Sequence, residues 1–74
     1  MMKYVAMTHF TMIEKKIVKT YGIIVLKKRI PVKVVKDVSL DVKAVQDLVK
    51  RLNENEVELV HLFDVIEDFC FEQM

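Results

Sequence analysis

The chain has 74 residues, which is enough for one small domain, and its formal net charge of +1 gives it no general attraction for nucleic acid or anionic membranes. Hydrophobic residues make up 53% and charged residues 31% of the chain, and their interspersion excludes intrinsic disorder. A single cysteine, Cys70, excludes the paired-cysteine framework of small secreted domains.

The same features indicate where the protein acts. No apolar run approaches the length of about 18 residues that a membrane helix needs. The apolar start of the chain is interrupted by Thr8, His9 and Thr11 and is followed by no small-residue cleavage site, so we expect no signal peptide. Together with the lone cysteine, this predicts a cytoplasmic protein without a membrane role.

Three extended segments come first in the chain. Residues 2–13 are rich in β-branched and aromatic side chains and predict a strand, and residues 14–16 predict a hairpin turn. The strongest strand pattern spans residues 17–28, in which Gly22 predicts a bulge or a close backbone approach. Pro31 breaks the pattern before a third strand over residues 32–38. Short turns between the three predict an antiparallel meander.

At Ser39 the hydrophobic period changes from that of a strand to that of a helix. Ser39 or Asp41 is the expected N-cap of the first helix, residues 53–56 form a loop, and a second helix spans about 58–72. On the second helix we expect the side chains of Phe63, Ile66 and Phe69 to pack against the sheet and Cys70 to be a buried, inert thiol. The prediction is a single α+β domain over residues 1–74: a three-stranded antiparallel sheet with two C-terminal helices on one face.

The second strand is apolar on both faces, which indicates assembly. Its side chains alternate, with Tyr21, Ile23 and Val25 on one face and Val18, Ile24 and Leu26 on the other. Two short helices cover only one face, so the other is expected to meet a partner. We predict a homodimer, with a candidate contact strand formed by Tyr21, Ile23, Ile24 and Val25. The alternative is that chain ends or lysine stems cover the second face.

Charge is divided between a basic β half (1–38) and an acidic α half (39–74). Residues 1–36 hold nine basic residues and one acidic residue, whereas residues 37–74 hold three basic and ten acidic residues. The division fits two solvated faces, complementary docking between protomers or onto an unidentified protein partner, or nucleic-acid binding by the basic half. In the nucleic-acid alternative, a basic patch at Lys27, Lys28 and Arg29 would bind the phosphate backbone. Bases would stack on Tyr4, Phe10 and Tyr21.

Catalytic and cofactor signatures are lacking, because the chain has one glycine and neither a Cys-x-x-Cys nor a His-Glu-x-x-His motif. His61, Asp64 and Asp68 can share a helix face, as weak metal ligands or a proton-transfer cluster would. The alternative, which we prefer, is that Asp64, Glu67 and Asp68 are the solvated side of an amphipathic helix. We therefore expect no cofactor, no metal and no enzymatic activity.

Three segments carry a family resemblance: Tyr21-Gly22-Ile23, Asp37-Val38-Ser39, and the run from His61 to Phe69. The chain resembles a family of small uncharacterised proteins from Gram-positive anaerobes, with a Tyr-Gly-Ile strand and a closing His-Leu-x-Asp-Val-Ile-Glu-Asp-Phe helix. Members often begin that helix with proline, where this chain has Leu59. The resemblance implies no activity, and it makes His61, Asp64, Glu67 and Asp68 a candidate surface motif.

These observations lead to one expected function with two alternatives. We expect a self-associating, non-enzymatic protein-interaction module. A nucleic-acid-binding accessory protein is the alternative, and a small metal-dependent enzyme is the more distant one.

Overall fold

Three strands and two helices follow one another in a computed structural model that describes residues 2–72. The elements are β1 (Met2–Ile13), β2 (Lys16–Lys27), β3 (Ile30–Ser39), α1 (Val42–Glu54) and α2 (Leu59–Glu72). The strands form one antiparallel sheet in the order β1-β2-β3, and the helices pack on one of its faces. The predicted α+β fold, a meander followed by two helices, is confirmed.

Two tight turns set the strand register. Residues 14–15 and 28–29 all have positive φ, between 50° and 69°, and are closed by the pairs Ile13↔Lys16 and Lys27↔Ile30. These are the dihedrals of type I′ hairpin turns, which favour Asn and Gly because other residues are strained there. Neither turn contains Asn or Gly, so both hairpins form against the local preference of their turn residues.

The register between β2 and β3 breaks at Gly22. Tyr21 pairs with Ser39 and Ile23 pairs with Val35, so a step of two residues along β2 corresponds to a step of four residues along β3. The extra β3 backbone folds over Gly22, where an added Cβ would lie 2.2 Å from the Val35 carbonyl oxygen. Both expectations for Gly22, a bulge and a close backbone approach, are confirmed.

Toward its turn at residues 14–15, the β1–β2 hairpin extends beyond the part of the sheet that includes β3. Within residues 2–72, β3 pairs with β2 only between Tyr21 and Lys27, so the hairpin beyond Tyr21 has two strands. On this ribbon Phe10, Met12 and Ile17 are 62%, 70% and 73% exposed. The ribbon therefore presents apolar side chains that the helices do not reach.

The helices cover the three-stranded part of the sheet. Asp41 is the N-cap of α1, because its carboxylate accepts hydrogen bonds from the backbone N–H groups of Lys43 and Ala44 at 3.0 and 3.4 Å. The core forms between the two helices, β1 and β2. Its buried side chains are Tyr4, Ile23, Val25, Val45, Leu48, Leu52, Leu62, Ile66 and Phe69.

Tyr4 joins β1 to the segment around the α1–α2 connection. Its phenolic O–H donates to the Val57 carbonyl at 2.6 Å, and its backbone N–H and C=O each pair with the Asn53 side-chain amide at 2.8 Å. Burial, with the nearby Glu58 carboxylate as a second cause, raises the pKa of the Tyr4 phenol above its ordinary value. The neutral phenol is therefore the form that the fold prefers.

Two predictions on α2 are wrong. Phe63 is 53% exposed, with the Lys33 ammonium 5.0 Å from its ring centroid, and Cys70 is exposed. Each follows a buried residue, Leu62 or Phe69, by one position, which turns its side chain about 100° around the helix. The apolar face of α2 is broad, so the set of residues predicted to pack was wider than the face that does pack. Ile66 and Phe69 are buried as predicted.

Candidate interaction surface

The sheet face opposite the helices carries apolar side chains that no described helix or strand covers. Antiparallel register aligns Val5, Ile24 and Val34 in one row across all three strands. Met7 and Leu26 lie on the same side, since side chains two residues apart share a face. We call these five residues, Val5, Met7, Ile24, Leu26 and Val34, the helix-free face. Val34 is 45% exposed and the other four are half-buried.

The structure divides the predicted contact strand between the two faces of the sheet. Ile23 and Val25 are fully buried beneath the helices, and Tyr21 is half-buried on the same side. Ile24 points to the helix-free face and is half-buried. Of the four candidate residues, Ile24 is therefore the one placed to meet a partner.

The bulge in β3 forms one border of the helix-free face. Asp37 has a φ of 57°, and its carboxylate accepts a hydrogen bond from the buried Thr20 hydroxyl at 2.5 Å. The same hydroxyl lies 3.2 Å from the His9 carbonyl oxygen. This contact fixes the β3 backbone over Gly22, and it places the Asp37 carboxylate beside the face.

The charge division seen in the sequence becomes a division between layers. The sheet carries most of the basic residues, and Lys3 and Lys36 alternate onto the helix-free side at its rim. The acidic residues lie mainly on the helices, on the other side of the sheet. A two-fold contact through the helix-free face therefore cannot place the basic half of one protomer against the acidic half of the other.

The basic patch and the candidate stacking aromatics lie apart. Lys27, Lys28 and Arg29 are exposed at the β2–β3 turn. Tyr4 is 1% exposed, which removes it as a platform for a base. Phe10 and Tyr21 alternate to the helix side of the sheet, and the Lys19 ammonium lies 5.8 Å from the Tyr21 ring centroid. The structure does not gather these side chains into one basic, aromatic surface.

The candidate motif on α2 lies on the solvent side of the helix. His61, Asp64, Glu67 and Asp68 are all exposed. Among residues 2–72 no cluster of three His, Cys, Asp or Glu side chains is arranged to hold a metal ion. No hydrogen bond within the described part of the chain joins these four side chains to one another. The geometry is that of a solvated helix face.

A shallow groove of about 260 Å³ runs between α1 and α2. Leu48, Val57, Val65 and Phe69 form its apolar floor, and Arg51, Asn55, Asp68 and Glu72 line its polar sides. The groove is open to solvent and brings no nucleophile and base together. Asp68 is the one residue of the α2 motif that lines it.

Sequence reasoning missed the role of Asn53. Residues 53–56 were predicted as loop, whereas α1 continues to Glu54 and the Asn53 amide pairs with the Tyr4 backbone as a neighbouring strand would. No local pattern signals such a contact, because its two partners are 49 residues apart. The Asn53 amide thereby satisfies the backbone N–H and C=O of Tyr4 on the outer edge of β1.

Comparison with known proteins gives a family and no activity. No helix among the described residues is both long and apolar enough to cross a membrane. No curated protein and no solved structure shows significant similarity to the chain. The family of unknown function DUF6514 matches residues 2–72, which is nearly the whole chain. The expectation of a family without an assigned activity is thereby confirmed, and the chain belongs to DUF6514.

Proposed function

We propose that the protein is a non-enzymatic protein-interaction module that self-associates through the helix-free face of its sheet. The observation that carries the proposal is the row formed by Val5, Ile24 and Val34, which lies opposite the helices and is covered by no element of residues 2–72. A soluble domain seldom leaves a contiguous apolar sheet face in water, and pairing with a second copy is the commonest way to cover one.

The rim charges determine how such a contact responds to salt. The rim of the face carries Lys3 and Lys36 together with the Asp37 carboxylate, and a two-fold axis can set either sign of charge against the other. The apolar centre therefore supplies most of the attraction. Because salt screens attraction and repulsion between exposed rim charges alike, self-association should change little as ionic strength rises. Docking of a basic surface on an acidic one would weaken under the same change.

Two aspartate substitutions on neighbouring residues test the contact. Ile23→Asp places a charge in the core and should unfold the chain, because an unpaired buried charge costs more than so small a domain can supply. Ile24→Asp places the charge on the helix-free face. It should leave the far-ultraviolet circular dichroism unchanged and halve the mass found by light scattering.

Light scattering of the unaltered protein decides the general claim. A mass of 8.7 kDa at micromolar concentration would contradict self-association. A folded Ile24→Asp variant with the mass of the unaltered protein would contradict the assignment to this face. Ile24→Val is the matched control, since it keeps the face apolar and should keep the mass.

Binding to nucleic acid is the outcome that would replace the proposal. Phosphate contacts make affinity fall steeply between about 50 and 200 mM salt. We expect no gel shift with mixed RNA or DNA at physiological salt. A salt-sensitive shift that disappears when Lys27, Lys28 and Arg29 are all changed to Gln would show that the basic turn binds a phosphate backbone.

A further inference from the structure

The outer edge of β1 is an unprotected sheet edge. Asn53 pairs with the N–H and C=O of Tyr4, so these groups point away from β2. In an antiparallel pair the outward positions alternate, which places the backbone groups of Ala6, Thr8, Phe10 and Met12 on the same edge. Within residues 2–72, no hydrogen bond to these outward groups is found. From Val5 to Ile13 the strand contains no Lys, Arg, Asp, Glu, Pro or Gly.

The opposite edge of the sheet is protected. β3 carries Pro31, which lacks an N–H, together with Lys33 and Lys36. Its register with β2 is interrupted twice, between Tyr21 and Ile23 and between Val25 and Leu26. Proline, lysine and bulges are the devices by which natural sheets prevent edge-to-edge pairing. They are concentrated on β3 and missing from residues 5–13 of β1, so β3 resists pairing with another strand whereas this part of β1 does not.

We propose that β1 pairs with β1 of a second copy of this chain, antiparallel, about a two-fold axis at His9. Asn53 occupies the edge at Tyr4, and the turn begins at Glu14, so the free outward positions run from Ala6 to Met12. That window is centred on His9. Pairing about His9 places Ala6 opposite the partner's Met12 and Thr8 opposite the partner's Phe10, so every free outward position acquires a partner.

This register is favourable for the side chains as well as the backbone. It places the exposed Phe10 and Met12 opposite the small side chains of Thr8 and Ala6. Large side chains therefore cover small ones, and cross-strand pairs of this kind are the unit of sheet stabilisation. Because this part of β1 holds no Lys, Arg, Asp or Glu, self-pairing brings none of these charged side chains together. The same pairing through β3 would bring Lys33 and Lys36 close to their counterparts.

Pairing also supports the two-stranded ribbon beyond Tyr21. An isolated two-stranded hairpin is marginally stable in water, and a third strand removes that weakness. The partner's β1 supplies the third strand along residues 9–12. Two three-stranded sheets then join into one, with all helices on the same side and the two helix-free faces continuous.

The edge contact does not depend on the proposed function, because it uses backbone groups of β1 and leaves the helix-free face open. Either contact alone gives a dimer, and the two together give a closed four-chain assembly where their two-fold axes intersect at right angles. In the Ile24→Asp variant the edge contact should persist as a dimer of twice 8.7 kDa. A folded Ile24→Asp monomer would support the face contact and overturn the edge contact.

Disulfide trapping tests the register directly. His9 pairs with Thr20 at a position whose backbone groups point to β2, so across the axis the two His9 residues form a non-hydrogen-bonded pair. The Cα atoms of such a pair are about 4.5 Å apart, within the range that a disulfide spans. His9→Cys, combined with Cys70→Ser to remove the exposed native thiol, should give a covalent dimer on a non-reducing denaturing gel after air oxidation.

Thr11→Cys in the same Cys70→Ser background is the matched control. Position 11 lies on the same face, but its two copies would be about 13 Å apart along the strands, too far for a disulfide. Thr11→Cys should crosslink when mixed with Met7→Cys, which the register places opposite it. Equal crosslinking by His9→Cys and Thr11→Cys alone, or none by His9→Cys, would overturn the proposal.

A backbone variant provides an independent measurement. Thr8→Pro removes one outward N–H while sparing the bonds to β2, because proline is tolerated where the N–H of an edge strand faces solvent. In the Ile24→Asp background it should convert dimer to monomer, whereas Thr8→Ala, which keeps the N–H, should not. If Thr8→Pro unfolds the chain, the cysteine variants still decide. A folded Thr8→Pro variant that remains dimeric in this background would contradict the edge contact.

Discussion

Gly22→Ala is the substitution for which backbone propensity and tertiary contact predict opposite signs. Gly22 does not have a positive φ, so alanine fits its backbone conformation. Propensity alone then predicts that alanine stabilises the strand by about 0.5–1 kcal/mol, because glycine loses more conformational entropy on folding. The tertiary structure predicts the reverse.

The predicted cost comes from one contact with the backbone of β3. The new Cβ would lie 2.2 Å from the Val35 carbonyl oxygen and 3.1 Å from the Lys36 Cα. Neither atom belongs to a flexible side chain, so β3 has to move by about 1 Å, and overpacking of this kind costs about 1–3 kcal/mol. After the propensity gain, a net loss of about 0–2.5 kcal/mol remains, centred near 1 kcal/mol. A loss of about 1 kcal/mol is a sizeable part of the roughly 3–5 kcal/mol that a core of this size supplies.

Urea unfolding followed by far-ultraviolet circular dichroism measures this loss. The chain has no tryptophan, so fluorescence is a poor probe. The midpoint should fall with an unchanged slope. Asp37→Gly, which suits the φ of 57°, removes the bond to Thr20 and frees the bulge, so Gly22→Ala should cost less in that background. A Gly22→Ala variant more stable than the unaltered protein would refute the reasoning.

Three further predictions follow from the core, the pKa of a buried phenol and the turns. Phe69→Ala should destabilise the fold by about 3–5 kcal/mol, whereas Phe63→Ala should cost about 1 kcal/mol or less because its side chain is 53% exposed; equal thermal midpoints for the two variants would contradict the packing of α2. Because the pKa of Tyr4 is raised in the folded state, the stability that its neutral phenol contributes is present below about pH 10 and is lost as the pH rises through the folded-state pKa. Tyr4→Phe should therefore be less stable than the unaltered protein by about 1–3 kcal/mol at neutral pH. In urea titrations the variant should lose less stability than the unaltered protein as the pH is raised above about 10. Replacing Glu14-Lys15 by Asn-Gly relieves two positive-φ strains and should raise the free energy of unfolding by about 1–2 kcal/mol; an unchanged midpoint would show that the turn is not strained.

The candidate interaction surface was visible in part from the strand pattern. Apolar residues at consecutive positions of the second strand predict that both faces of the sheet are covered. The helices cover Ile23, whereas a cover for Ile24 stays a prediction. The strand pattern does not say which face the helices choose. The helices lie on the face of Tyr4, Ile23 and Val25, where the Tyr4 phenol bonds to Val57, a contact between distant residues that no local pattern records.

The edge of β1 illustrates the same limit. The sequence shows that residues 5–13 lack charges, proline and glycine, but an edge exists only once the strand order is known. Likewise, the charge division in the sequence suggested basic-to-acidic docking between protomers. The layered arrangement places the two charge sets on opposite sides of the sheet, which removes that docking for a symmetric face contact.

Local sequence alone determined the element order, the meander, a cap at Ser39 or Asp41 and the special role of Gly22, because periodicity, turn position, capping chemistry and the missing side chain act over a few residues. Tertiary structure decided what Gly22 makes room for, which side of α2 is buried, and that Phe63 and Cys70 face solvent. The apolar face of α2 is broader than the surface that packs, so its sequence is compatible with more than one buried side. The sheet beneath α2 selects the face containing Leu62, Ile66 and Phe69.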